Sequence, residues 1–395
     1  MRSASLRALL TARGLRAFGD GFVSLILPLY LLDLGMTPFD VGVIATATLL
    51  GSGVLTLAVG YRAHRFHLRT MLVAAAALMT ATGVGFALVR DFWPLFAIAV
   101  IGTLNPSSGD VSVFLPLEHA LVAKLAPEAR RTSWFARYSL VGSLCASVGA
   151  LAAGVPHLVA HASGLSPHVA LQAMFGVYAL LGVGSALVYR RLPTSEVQTQ
   201  QTTEPLHASR KIVYTLAALF SLDALGGGLI VQSMVALWLF ERFALSTATA
   251  GAIFFWTGVL SALSYLVAAR IATRIGLVYT MVFTHLPSNV LLLLVPFAPN
   301  LATSIALLLL RSALSQMDVP TRNSFVMAVV PAAERPAAAS VTSVPRSLAA
   351  AVSPLAAGYL LGVSAFGWPL VVAGVIKIAY DLAFLAMFRG HVARR

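Results

Sequence analysis

Only 14 acidic residues occur in this chain of 395, and several stand where a soluble protein would not place them. Asp20, Asp110, Asp223 and Asp318 lie inside long apolar runs, where a bare charge at a membrane-helix centre costs roughly 2.5–3.5 kcal/mol or more. Ionisable groups kept in membrane spans face a water-filled route or a partner rather than lipid. The chemistry open to them is therefore proton uptake and release, or ion pairing with a passing solute.

Spacing says which groups can act together, because side chains three, four and seven residues apart share a helix face. Arg311, Ser315, Asp318 and Arg322 follow steps of four, three and four, so one helix would carry them as a single polar stripe. The stripe either neutralises itself through an Asp318–Arg322 pair or lines a transport route, since Arg311 has no acid one turn away. Thr103, Ser107 and Asp110 repeat the pattern, with Glu118 two turns beyond. Asp20 follows Arg16 by one turn. It is either half of a structural pair or a proton carrier, because a dry surrounding disfavours a charged carboxylate. Asp20 and Asp110 are the candidates for proton coupling.

Asp223 precedes Gly226-Gly-Gly228, three glycines that weaken a helix and mark a hinge or a close packing site. Gln232 follows two and a half turns later, and both are expected near a cavity. Arg346 follows Pro345 at a depth of about 14 Å along its span, placed to meet Asp318 or an anionic solute. The expected substrate-binding set is Asp223, Gln232, Arg311, Asp318, Arg322 and Arg346. Arg137 lies near a span end and can snorkel to the surface. His157 and His161 have a metal-like spacing, but no carboxylate or thiol adjoins them, so they read as interfacial. A single cysteine, Cys145, rules out an internal disulfide.

The elements that must hold these groups follow from composition. Hydrophobic residues make up 58% and charged residues 10%, against about 25% charged in a soluble domain. The apolar runs are continuous and about 20 residues or longer, which suits membrane helices and not the alternating strands of a barrel. Runs near 14–34, 40–61, 69–89, 94–120, 133–160 and 168–190 form one set. Runs near 212–240, 246–269, 277–296, 300–330, 337–362 and 366–388 form a second. The fold class is an all-α membrane protein of about twelve transmembrane helices in two pseudo-symmetric six-helix bundles. Arg13, Arg16 and Asp20 interrupt the segment where a cleavable signal needs an unbroken apolar core, and residues 3–16 suit a short amphipathic lead-in at the interface.

A net charge of +13 would suggest nucleic acid in a soluble protein; in a membrane protein it reports orientation instead. With the N-terminus inside, Arg90 and Arg242 are the basic residues on outer connections, and Arg137, Arg311, Arg322, Arg346 and Lys377 lie within spans. The other 20 of the 27 fall on the inner side, so the positive-inside rule puts both termini in the cytoplasm. Residues 192–210 are polar and carry two prolines with no apolar period, which reads as a cytoplasmic linker. The bundles are then 1–191 and 211–395.

The second half echoes the first. At an offset of 209, Gly42 matches Gly251, Ser52 matches Ser261 and Arg65 matches Arg274; Asp110 meets Asp318 at 208, and Arg131 meets Arg335 at 204. Two six-span halves in the same orientation imply a pseudo-two-fold axis along the membrane normal. The connection after span 2 reads Gly60-Tyr-Arg-Ala-His64-Arg65-Phe-His67-Leu-Arg69, and its second-half copy Ala269-Arg-Ile-Ala-Thr-Arg274-Ile-Gly276. With Phe18-Gly-Asp20-Gly-Phe22 and Leu27-Pro28-Leu-Tyr30 opening the chain, this resembles the major facilitator superfamily. The pattern of that loop has Gly, three residues, Asp-Arg, any, Gly-Arg; here Gly60 and Arg65 match while His64 replaces the acid.

The resemblance implies a substrate bound near the bilayer midplane between two rocking halves, with Gly60, Arg65, Arg69, Arg274 and Gly276 as the conformational loops. It makes span 12 peripheral scaffold, with Lys377 and Asp381 as a structural pair. Glycines 142, 149 and 154 are similar to the glycine-rich motif of superfamily antiporters, although small residues also serve close packing in any helical bundle. The expected activity is secondary active transport, not an enzyme: proton-coupled efflux first, such carriers being abundant among the family's twelve-span bacterial members. Uptake of a metabolite or organic anion, or a non-transporting sensor, are the alternatives. No GxxxxGK[ST], HExxH or GxSxG motif occurs, so neither ATP nor any cofactor or metal is expected. The expected partners are a small-molecule substrate, protons and the lipid bilayer, not nucleic acid, for a monomer in a bacterial inner membrane.

Overall fold

The computed structural model of the chain describes residues 2–62, 66–107, 112–127, 130–192, 206–207, 209–331 and 334–389. Most of the expected linker, together with Asp110, Arg65 and the adjoining His64, lies outside the described residues. The described residues form sixteen α-helices and no strand. Ten helical stretches are long and apolar enough to cross a membrane, because once the backbone leaves water only intrahelical hydrogen bonds satisfy its polar groups.

In the first half these are α1 (Arg2–Asp33), α2 (Pro38–Arg62), α3 (Leu68–Leu88), the pair α6 (Arg131–Ala152) and α7 (Val155–Ser163), and α8 (Pro167–Arg190). The remaining expected span, 94–120, is broken into α4 (Phe92–Ile101) and α5 (Phe114–Leu125). In the second half, α9 (Arg210–Leu229) runs into α10 (Gln232–Phe243), followed by α11 (Thr247–Ile275) and α12 (Leu277–Leu294). The span expected at 300–330 is likewise two helices, α13 (Leu301–Ser315) and α14 (Asp318–Val329), before α15 (Arg335–Val363) and α16 (Trp368–Phe388).

The two broken spans correct the expectation of continuous polar stripes. A helix running through residue 320 would need a backbone N–H to meet the Gln316 carbonyl, and Pro320 has none. The chain therefore ends α13 at Ser315 and restarts at Asp318, which puts Arg311 and Asp318 on different helices. Near Pro106 the Asn105 Oδ1 accepts from the Ser107 backbone N–H at 3.0 Å, a side-chain turn that competes with helix. Thr103 and Ser107 thus lie on irregular chain.

Contacts divide the chain into two compact units. The first takes in 1–200 and 231–255, the second 201–230 and 256–395. Within the first unit α1 is central, lying against α6, α8 and α10. Glycines let backbones touch there: a Cβ on Gly21 would overlap the Ala146 carbonyl, and one on Gly149 the Phe18 carbonyl. Gly142 leaves room for the Arg13 guanidinium. These glycines therefore hold α6 against α1 at backbone distance. In the same unit the Ser233 N–H donates to the Pro106 carbonyl at 3.0 Å, so the break in the fourth span receives the first turn of α10.

In the second unit α9 is the central helix, packed on α15 and α16. A Cβ on Gly228 would overlap the Ala350 carbonyl, and one on Gly226 would stand 3.2 Å from the Ala373 carbonyl, a tight contact. Phe220, Phe325, Tyr380, Phe384 and Phe388, with Met281 of α12, make a largely aromatic core between α9, α12, α14 and α16. Gly276 takes φ 85° at the tight junction of α11 and α12, a left-handed conformation that costs glycine nothing.

Candidate functional site

Each unit carries its own buried ionic network, and the two differ in kind. In the first, α5 presents Glu118 with no exposed surface. Arg16 from α1 pairs with it, Tyr138 of α6 donates to it, and Tyr189 of α8 donates to its other oxygen at 2.7 Å. The Arg16 Nε also donates to the Tyr189 hydroxyl at 3.0 Å, and its guanidinium lies 4.0 Å over the Phe114 ring. One carboxylate thus ties four helices together, with both of its oxygens engaged. Arg16 is turned to Glu118, not to Asp20 as its spacing suggested, because the buried Glu118 has two tyrosine donors beside it that complete the site.

Asp20, one turn further along α1, is left differently. It is 7% exposed and makes no hydrogen bond or ion pair with any described residue, while Arg13 and Arg16 act on it only through their fields.

The second network joins α9, α12, α14 and α16. Asp223 accepts from Lys377 at 2.5 Å through Oδ1 and from Arg322 at 3.1 Å through Oδ2. Arg322 also reaches Asp318 at 3.5 Å and lies 5.5 Å from the centre of the Phe220 ring. Behind Lys377, the His285 Nε2 stands 3.8 Å from Asp223 Oδ1. The other His285 nitrogen, Nδ1, meets Asp381 at 2.8 Å, and Asn289 donates to the second Asp381 oxygen at 2.8 Å. All of these side chains are buried. Three carboxylates thus face two cations and one histidine.

This corrects the expected Lys377–Asp381 pair. The two residues are one turn apart, but Lys377 points at α9, where Gly226 leaves space for its stem: a Cβ there would stand 2.8 Å from Lys377 Cγ. The ammonium group then reaches Asp223, three residues before that glycine.

Of the residues singled out from spacing, the structure gathers Asp223, Asp318 and Arg322. Arg346 on α15 is exposed and within electrostatic reach of all three. Arg311 is apart, with no charged side chain acting on it among the described residues. Gln232 heads α10 and belongs to the first unit, whereas Asp223 belongs to the second. Asp110 lies outside the described residues. Gly60 lies near the end of α2, Arg69 donates to the Leu192 carbonyl at 3.3 Å, and Arg274 is exposed in the last turn of α11. Glu118, Tyr138, Tyr189, His285 and Asn289 were missed as site residues. The His285–Asn289 pair did leave a signal, two strongly polar residues one turn apart inside an apolar run.

A sequence profile described as Major Facilitator Superfamily matches residues 9–229. The chain belongs to this superfamily. Among curated proteins, a membrane protein of Saccharomyces cerevisiae, YJR124C, described as uncharacterized, is 24% identical over 96% of this chain and 93% of its own length. Solved superfamily structures share the fold at low identity. A bacterial homolog of the human lysosomal transporter Spinster, in an inward-facing and occupied conformation, aligns with TM-score 0.75 and 13% identity over 100% of this chain and 97% of that one. The nucleoside transporter NupG gives TM-score 0.72 and 14% identity over 98% of this chain and 99% of that one. As a superfamily member this protein is a multi-pass membrane transporter and not an enzyme.

Proposed function

We propose that this protein moves a small molecule across the membrane by alternating access and draws its energy from protons, working as an exporter. The observation that carries proton coupling is the state of Asp20. Of the carboxylates buried in the two networks and their surroundings, Glu118, Asp223, Asp318 and Asp381 each have a cation or an imidazole in contact, and Asp20 has none among the described residues. A carboxylate fixed by an arginine and two tyrosines has both oxygens already engaged. One with no hydrogen-bond partner, in a membrane helix that packs on three others, is free to change its protonation as its surroundings change. The halves 1–191 and 211–395 rock about a site near the midplane, with both termini cytoplasmic as the distribution of basic residues favours.

Uptake uses the same parts in reverse, and the same experiment separates the two. Inverted vesicles containing the protein are energised to acidify their lumen and then given a panel of amphipathic compounds and metabolites, while a pH-sensitive dye reports protons. Export predicts that at least one compound releases protons from the lumen as it enters. No response to the panel in either vesicle orientation, with compound binding intact, would leave a sensor in place of a carrier.

A further inference from the structure

Arg311 is the anomaly of the second unit. Arg322 is held by two carboxylates and Lys377 by one. Arg311, the eleventh residue of α13, has neither a hydrogen bond nor an ion pair from its guanidinium to any described residue. Its Nε is buried without a partner.

It does not look toward the helix's outer surface. At 3.6 residues per turn, Arg311 stands about 20° around the axis from Ser304 and about 60° from Leu308, and both of those are buried. The exposed residues Ala302, Ala306 and Leu310 lie on the other side. A side chain on a helix leans toward its N-terminus, so the guanidinium reaches back over the turns that carry Leu308 and Ser304. The Ser304 hydroxyl is fully buried and also has no hydrogen-bond partner among the described residues. Two unsatisfied polar groups thus share one buried face of one helix, a guanidinium with its donors and a hydroxyl.

We propose that these two residues form the anchor for a negatively charged group on the transported compound, a carboxylate, sulfonate or phosphate, which makes the substrate a small organic anion. This rests on the transporter reading and names its substrate class. A planar guanidinium fits such oxyanions with two parallel hydrogen bonds, and Ser304 supplies a further donor. A partner that arrives and leaves explains why no fixed carboxylate occupies the position, where one would compete with the substrate.

The test uses the purified full chain in detergent and phenylglyoxal, which modifies unpaired guanidines, followed at the peptide level by mass spectrometry. Arg311 should be modified about tenfold faster than the doubly paired Arg322, the factor a single charge-assisted hydrogen bond carries. Benzoate or phenyl phosphate at millimolar concentration should slow Arg311 several-fold, and benzyl alcohol at the same concentration should not. Ser304→Ala should weaken that protection. The proposal is overturned if Arg311 resists modification as Arg322 does, or if neither anion protects better than benzyl alcohol. If the vesicle assay responds to neutral or cationic compounds alone, the transporter reading stands and the anion assignment falls.

Discussion

Glu118 is expected to be the post on which the first unit stands, and its removal separates that role from transport chemistry. Glu118→Leu deletes a carboxylate with no exposed surface that meets Arg16, Tyr138 and Tyr189. Removing one partner of a buried ion pair strands the other and costs about 3–5 kcal/mol. The two tyrosine hydroxyls lose an acceptor as well, at up to about 1–3 kcal/mol each. These terms overlap, since Arg16 still meets the Tyr189 hydroxyl at 3.0 Å and Phe114 at 4.0 Å, so about 4 kcal/mol is a fair net expectation. On the scale of soluble domains the size of one unit, that lowers the melting temperature by roughly 8 °C or more. The decisive partner is the double variant Arg16→Met with Glu118→Leu. Replacing both members of a buried pair with apolar groups is often neutral, so the double variant should recover most of the loss. Thermal unfolding of the purified protein in one detergent measures all four corners of the cycle. The reasoning is refuted if Glu118→Leu melts within about 1 °C of the parent, or if the double variant is no more stable than the single one.

Other expectations follow from the same geometry. Arg322→Met, which strands Asp318 and one arm of Asp223, should lower the melting temperature more than Lys377→Met, after which Asp223 keeps Arg322 at 3.1 Å; equal losses would mean Arg322 holds no more than one carboxylate. Gly149→Leu should abolish monodisperse protein on size exclusion because its side chain meets the Phe18 backbone, while Gly53→Leu, which has open space around it, should not. Gly226→Val should displace Lys377 from Asp223, so combining it with Lys377→Met should cost less than the sum of the two single changes in melting temperature; strict additivity would contradict the contact.

How much of this the sequence disclosed varies with the kind of information each feature needs. Most span positions and the superfamily were legible because they depend on long apolar runs and loop motifs, which are local and redundant. The partners of the ionic residues were not. Helical spacing joined Asp20 to Arg16 and Lys377 to Asp381, yet Arg16 turns to α5, Lys377 to α9 and Asp381 to α12, and Asp20 pairs with no described residue. A one-turn pair is a weak contact beside a buried site with several donors, and which helix faces which residue is a property of packing. Gly226 illustrates this: as a sequence feature it suggested a hinge, but its effect is to admit the stem of Lys377. The stripe from Arg311 to Arg322 failed for a local reason that was present in the sequence, since Pro320 interrupts the helix between its two ends. Asp223, Asp318 and Arg322 came together nonetheless, because each lay deep in an apolar run and buried charges of opposite sign in one bundle find one another.

If Asp20 carries the proton that drives transport, its neutral variant separates binding from proton release. A compound that evokes proton release from vesicles bearing the parent protein is applied to vesicles bearing Asp20→Asn at matched protein content, with binding of that compound measured in parallel. Asp20→Asn is expected to bind the compound and release no protons. Proton release equal to that of the parent would show that Asp20 does not carry the proton.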